Sequence, residues 1–311
     1  METSRDAAEA QAVAALLLER CGFGTLSECS RYSDEEYNKV YDTFHIVSDS
    51  GGHFALKLAE ELPELRVCRD VLSGSDPVPR MLASEPAEAQ QHWLLLEHAG
   101  GRDIRDDDLR SHELAARSVA DIHANHWGIN PSAFPWLGTY DQEFAEDTRY
   151  LERYEPKHED THLNEIAQLQ VIIAGRLREL PTTIVHDDLL SMNMLRDGDT
   201  VRVIDWGATL IGPYACDLGR WLGDLRHARD RLWVPHSWIE PILRFYYERQ
   251  CARLGPAWRR WSDFEADYWY GRCHYHLAIV LSHMRHDWPR EDWLHANLSA
   301  LLENAERLHQ T

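Results

Sequence analysis

The sequence predicts an α+β fold built as two lobes. Three observations carry that expectation: the first third reads as strands, the remainder reads mainly as helices, and one strand-rich island, Thr182 to Asp205, interrupts the helical part.

The elements follow in order. The apolar run Ala12–Leu18 is preceded by acids and followed by Glu19-Arg20, the pattern of an amphipathic helix rather than a cleavable leader. Tyr37 to Val47 reads as a strand with Val40, Phe44 and Ile46 on one face. Ser48-Asp49-Ser50-Gly51-Gly52 is a turn, and His53–Leu58 is the returning strand. There Phe54, Leu56 and Leu58 share one face, which turns Lys57 to the other side with Ala55. A helix is expected over Ala59–Leu72, ended by Gly74, Pro77 and Pro79, with short strands at Arg80–Leu82 and Trp93–Leu96. Gly100-Gly101 is the natural hinge, so the expected division is residues 1–97, a hinge at 98–101, and a larger lobe over 102–311. Helices are expected at Ser111–His126, Glu143–Tyr154 and Leu163–Leu180, and again over the tryptophan-rich last hundred residues.

Composition narrows the function classes. A length of 311 residues with 44 % apolar and 27 % charged residues is that of a globular chain with a real core. No stretch approaches the roughly 20 apolar residues of a membrane span. The six cysteines are scattered without zinc or CxxC spacing, as expected of free thiols in a reducing cytoplasm. A formal charge of −20 opposes nucleic-acid binding and favours a cationic ligand, and any polyanion would have to be met by local cations.

The island carries the chemistry. An apolar strand at Ile184-Val185 delivers His186, Asp188 and, five residues later, Asn193. Met194–Arg196, the turn Asp197-Gly198-Asp199 and Val201–Ile204 then form a hairpin. A hairpin centred near residue 199 sets positions 193 and 205 opposite each other to within a residue or two. The spacing therefore predicts an amide oxygen, from Asn193, and a carboxylate, from Asp205, as ligands for magnesium. Asp188 lies upstream on the same loop, placed to accept a proton from an incoming hydroxyl. A lone His-x-Asp is usually a capped turn; the whole run, His-x-Asp-x4-Asn, hairpin, Ile-Asp-Trp-Gly, is far more demanding.

That run resembles the catalytic segment of the aminoglycoside phosphotransferases, choline kinases and their relatives. The resemblance implies a bilobed protein-kinase-like fold and transfer of the γ-phosphoryl group of ATP to a hydroxyl of a small, cationic molecule, of aminoglycoside or amino-sugar type. It assigns Asp188 as catalytic base, Asn193 and Asp205 as magnesium ligands, and Asp217 of Ala215-Cys216-Asp217-Leu218 as the brace of the loop. Phe54-Ala55-Leu56-Lys57 resembles the strand whose lysine holds the ATP phosphates. Glu64 resembles its glutamate partner, with Glu60 and Glu61 as alternatives. Leu94 to Gly101 resembles the linker whose backbone, at Glu97 and Ala99, meets adenine. A choline- or ethanolamine-type kinase is the alternative, and a nucleotide-binding pseudokinase a further one, against which intact Lys57, Asp188, Asn193 and Asp205 weigh. Two departures stand out: Asp187 replaces the family's usual glycine, and Ser30–Lys39, where a phosphate-covering loop belongs, is poor in glycine.

Other clusters have plainer readings. His274, His276, His283 and His286 lack zinc-ligand spacing and read as core or solvated histidines. The aromatic tail, Trp258, Trp261, Trp269, Trp288 and Trp293 with its tyrosines, reads as helix packing before it reads as a cation cage. Residues 141–165 hold nine acids against three Lys/Arg and are a candidate wall for an amine, together with Asp263, Glu265, Asp267, Asp287, Glu291 and Asp292.

Overall fold

The structure, a computed structural model, describes residues 3–35, 38–59, 62–154, 162–225, 233–286 and 291–308. The chain divides into two compact units, Met1–Arg102 with Arg202–Gly207, and Asp103–Val201 with Ala208–Thr311.

In the first unit, α1 (Thr3–Cys21) lies on an antiparallel five-stranded sheet of β1 (Leu26–Asp34), β2 (Lys39–Ser48), β3 (His53–Ala59), β4 (Met81–Pro86) and β5 (His92–Glu97), in the order β1-β2-β3-β5-β4. Ala10, Ala14, Leu17 and Leu18 recur at helical spacing and bury against Phe44, Ile46, Phe54, Leu56, Trp93 and Leu95. The opposite face of the sheet carries Lys57, which pairs with Thr43 on β2 and Leu94 on β5.

Two expectations change here, and one strand appears for which the sequence held no signal. The polar run from Leu26 to Asp34 is an edge strand, held by its ladder to β2. Val40 does not share the face of Phe44 and Ile46: it is 57 % exposed. Pairing jumps between Arg31 and Ser33, which stand opposite Phe44 and Val40, and that bulge puts the two ends of β2 out of phase. The helix expected over Ala59–Leu72 is shorter. Ala59 ends β3, packed with Leu65 and Leu94; α2 spans Leu62–Arg66, with Pro63 in its first turn where proline is tolerated; one wide π-helical turn, Val67–Val71, follows.

The second unit holds α3 (Leu109–Asn125), α4 (Tyr140–Arg153), α5 (Leu163–Arg178), β7 (Thr182–Val185), β8 (Met194–Asp197), β10 (Leu210–Pro213), α6 (Ala215–Gly223), α7 (His236–Leu254), α8 (Trp261–His286) and α9 (Glu291–Leu308). Strand β6 (Arg102–Asp103) starts, and β9 (Thr200–Val203) ends, at residues assigned to the first unit. Asp108 caps α3 by accepting from the Ser111 amide, and Thr139 with Gln142 forms a capping box on α4, so both helices start earlier than their apolar pattern indicates. The hairpin of the island is present as β8 and β9, turned at Gly198 with φ 58°. Among the described residues, no helix is long and apolar enough to cross a membrane.

Of the aromatic tail, Tyr268 and Tyr275 are buried in this unit, Trp258, Trp261, Trp269 and Trp293 are half-buried, and Trp288 lies outside the described residues. Tyr214 and Tyr246 stack on Phe264 at interplanar angles of 4° and 12°, and Trp258 packs beside Tyr214 and Phe264. His276 hydrogen-bonds Asn297 at 2.9 Å, and His274 packs edge-on to Tyr140 and Phe144. Burial lowers the pKa of both, to about 3 for His276 and about 4 for His274.

Candidate active site

In the second unit, β7 leaves the interior at Val185 and the chain turns through His186, Asp187 and Asp188. Asp217, in the first turn of α6 and 2 % exposed, makes that turn possible. One of its carboxylate oxygens accepts the His186 amide at 2.9 Å and the other accepts the Asp187 amide at 3.1 Å. Asp217 is anchored in turn by His123 Nε2 at 3.1 Å, and His123 Nδ1 meets the Tyr246 hydroxyl at 2.8 Å. A buried carboxylate satisfied from several sides is a rigid support for two backbone amides.

Asp187 sits at φ 61°, in the left-handed region that glycine adopts without strain and that Asp tolerates better than most residues. Its carboxylate accepts a hydrogen bond from the Tyr140 hydroxyl. Burial pushes its pKa up to about 6, with Arg220 and Tyr140 opposing the rise and Asp217 and Glu143 adding to it.

Asp188 is held in three ways. Its amide donates to His186 Nδ1 at 3.2 Å, its carbonyl accepts Asn193 Nδ2 at 2.8 Å, and its Oδ1 accepts Arg220 Nη2 at 2.5 Å. Its side chain is nonetheless 36 % exposed, enough to meet a small molecule. Because the Asn193 amide nitrogen is spent on this loop, the oxygen is the end of that side chain left to meet a cation.

In the first unit, Lys57 Nζ lies 2.6 Å from Glu64 Oε1 and 2.5 Å from Asp205 Oδ1. Glu64 is 5 % exposed on α2, whereas the Asp205 side chain is 44 % exposed. Burial works against the Lys57 ammonium, the two carboxylates outweigh it, and its pKa is raised. Asp205 follows β9 at φ 67°, a second strained position for a non-glycine residue. Glu60 and Glu61, the alternatives to Glu64, lie outside the described residues.

At the linker, the Glu97 amide donates to the Arg80 carbonyl at 2.9 Å and the Glu97 carboxylate holds the Arg80 guanidinium at 2.7 Å. Ala99 follows in irregular chain, before Gly100 and Gly101 at φ 73° and 68°.

Residues 41–264 match the model of the phosphotransferase enzyme family, abbreviated APH. The chain belongs to that family. Solved structures of the same fold include choline kinase from Cryptosporidium parvum, 13 % identical with a TM-score of 0.62 over 91 % of this chain and 90 % of that one. Plasmodium vivax ethanolamine kinase is 11 % identical with a TM-score of 0.61 over 89 % and 81 %. A thermostable mutant of the aminoglycoside phosphotransferase APH(4)-Ia, in ternary complex with ADP and hygromycin B, is 16 % identical with a TM-score of 0.61 over 94 % and 98 %. No curated protein matches the sequence. The chain is a phosphotransferase of protein-kinase-like fold.

Two features of this phosphotransferase differ from the sequence reading. Arg220, half-buried on α6, carries no role in the sequence expectations, although it lies one helical turn after Asp217 and meets Asp188. The only signal available was that i, i+3 spacing. The acidic wall is also smaller than expected. Asp267 is fully buried, where it pairs with Arg176 and Arg259 and accepts from Tyr214, so it belongs to the core. Asp147 is buried against Arg285, Asp141 pairs with Arg178 and Asp263 with Arg260. Asp287, Glu155, Glu159 and Asp160 lie outside the described residues. Glu143 remains on α4, its pKa raised by burial and by Asp147 and Glu146.

Proposed function

We propose that this phosphotransferase moves the γ-phosphoryl group of ATP to a hydroxyl of a small, amine-bearing molecule. The observation that carries the reading is Asp188: an accessible carboxylate fixed by Arg220 and Asn193 on a loop whose amides are clamped by buried Asp217. In this reading the acceptor hydroxyl donates to Asp188 Oδ2. Its oxygen forms a bond to the γ-phosphorus, the bond from that phosphorus to the bridging oxygen of ADP breaks, and the proton passes to Asp188. Positioning and charge neutralisation supply most of the rate in this chemistry.

Lys57, oriented by Glu64, steadies the phosphates, and the Glu97 carbonyl with the Ala99 backbone holds the base. Asn193 and Asp205 are the proposed magnesium ligands; one neutral and one anionic oxygen suit that hard cation. Bound with ATP, magnesium would neutralise charge on the β- and γ-phosphate oxygens. A formal charge of −20 and the carboxylate of Glu143 on α4, whose charge is felt at Asp187, support an ammonium on the acceptor.

A phosphotransfer screen with hygromycin B, ethanolamine and choline, read by mass spectrometry at low and high salt, tests the proposal. A phosphorylated amine whose KM rises with salt is the expected product. Efficient transfer only to uncharged hydroxyl compounds, without salt dependence, overturns the amine; no transfer to any alcohol overturns the kinase reading.

A further inference from the structure

The base of this site does not stand alone. Asp188 Oδ1 is taken by Arg220 at 2.5 Å, while Oδ2 lies 3.4 Å from Asn193 Nδ2, at the long edge of a hydrogen bond. The two oxygens are therefore unequal: one is held by a cation, and the other is open to a donor. An arginine fixed in its own place would thus select which oxygen faces the acceptor.

Arg220 is fixed in its own place. It lies on α6, which runs against α8 at a point where neither helix has a side chain. A Cβ on Gly219 would lie 2.2 Å from the Gly271 carbonyl carbon, and a Cβ on Gly271 would lie 1.9 Å from the Ala215 carbonyl oxygen. No larger residue fits either position without separating the helices. That approach sets the Arg220 guanidinium 5.5 Å from the centroid of the Tyr275 ring on α8. The Tyr275 hydroxyl is itself bound to Asp224, just beyond α6. Arg220 is thereby held by a ring on one side and by a carboxylate on the other, with its charge also favoured by Asp187.

We infer that Arg220 is a positioning residue: it turns Asp188 so that Oδ2, and not Oδ1, receives the acceptor proton. The inference rests on the proposed role of Asp188 as base. It adds a residue that acts through Asp188, with no bond made or broken at the guanidinium.

The test is a double-mutant cycle of Arg220→Gln, Asp188→Asn and the pair, with Arg220→Lys as the conservative variant. Steady-state ATP consumption is measured with water, hygromycin B, ethanolamine or choline as acceptor, and turnover is expressed per fluorescent-ATP binding site so that unfolded protein does not count. Arg220→Gln should lower kcat on the order of 10- to 100-fold, the effect of misplacing a reacting group by about an ångström. KM for ATP should stay within about twofold, and Arg220→Lys should recover part of the rate. The double variant should be no slower than Asp188→Asn alone, because residues acting as a unit are not additive.

Normal kcat in Arg220→Gln, or a full additional loss in the double variant, overturns the positioning role while leaving Asp188 as base. Arg220 variants without nucleotide-binding sites overturn it too, since the residue is then structural. Undiminished turnover in Asp188→Asn, or no ATP consumption by the unmodified chain with any of the four acceptors, overturns the underlying reading and the inference with it.

Discussion

Asp187 shows how one side chain reports on backbone and charge together. Its left-handed φ is one that glycine adopts without strain, and its amide donates to Asp217, which helps to hold the loop. The carboxylate is then buried among Tyr140, Arg220, Asp217 and Glu143 with a pKa pushed up to about 6. The usual value is about 3.9, so the neutral form is the one the fold favours. That contribution to stability is fully present below about pH 4 and is lost as the pH rises through about 6. Asp187→Asn keeps an acceptor for Tyr140 and tolerates the same φ. Its Tm should therefore gain on the unmodified protein as the pH is raised from about 4 to about 7.5. A gap that narrows over that range would mean that Arg220 stabilises the ionised form. At the same scale, Asp205→Ala should weaken ATP binding measured by calorimetry with magnesium present, and should matter much less in its absence; equal losses would remove Asp205 from the metal. The sequence singles out Asp188, Asn193 and Asp205 by the His-x-Asp-x4-Asn run and the Asp-Gly turn, and Asp187 as a departure from the glycine that the resemblance implies. It does not single out Arg220, because nothing in a sequence tells which way a half-exposed helical arginine points.

At the scale of elements, the crossing of α6 and α8 is the feature on which the proposed positioning of Asp188 depends. Gly271→Ala is favoured by helix propensity by about 1 kcal/mol, yet its Cβ would meet a backbone oxygen that cannot rotate away. Overpacking of this kind costs about 1–3 kcal/mol. The variant should unfold at lower urea concentration and lose kcat, since Arg220 moves with α6; unchanged urea midpoint and turnover would show that the helices separate freely. The elements that could be read from the sequence were those with strong local signals. β2, β3 and the β8–β9 hairpin combine apolar alternation with Gly turns, and the long helices carry an apolar stripe. β1 could not be read because Leu26–Asp34 is polar on both faces, its hydrogen bonds supplied by β2 and not by any pattern of its own. The helix after β3 was overextended because Ala59, apolar in either state, pairs with His92 and packs on Leu65 and Leu94.

For the whole molecule, the family match and the kinase-like fold leave the acceptor as the open chemical choice, and the charge of −20 as its broadest constraint. Charge totals were a poor guide to which acids matter, because Asp267 and Asp147 are neutralised by Arg176, Arg259 and Arg285 inside the second unit. Phosphoryl transfer through Asp188 is the claim on which the rest depends. The most direct measurement is single-turnover transfer of γ-labelled phosphate from ATP in the presence of magnesium, comparing the unmodified chain with Asp188→Asn at matched nucleotide occupancy. The account predicts label on an alcohol acceptor, formed at least about 100-fold more slowly by Asp188→Asn with ATP affinity nearly unchanged. Equal rates in the two proteins would contradict it.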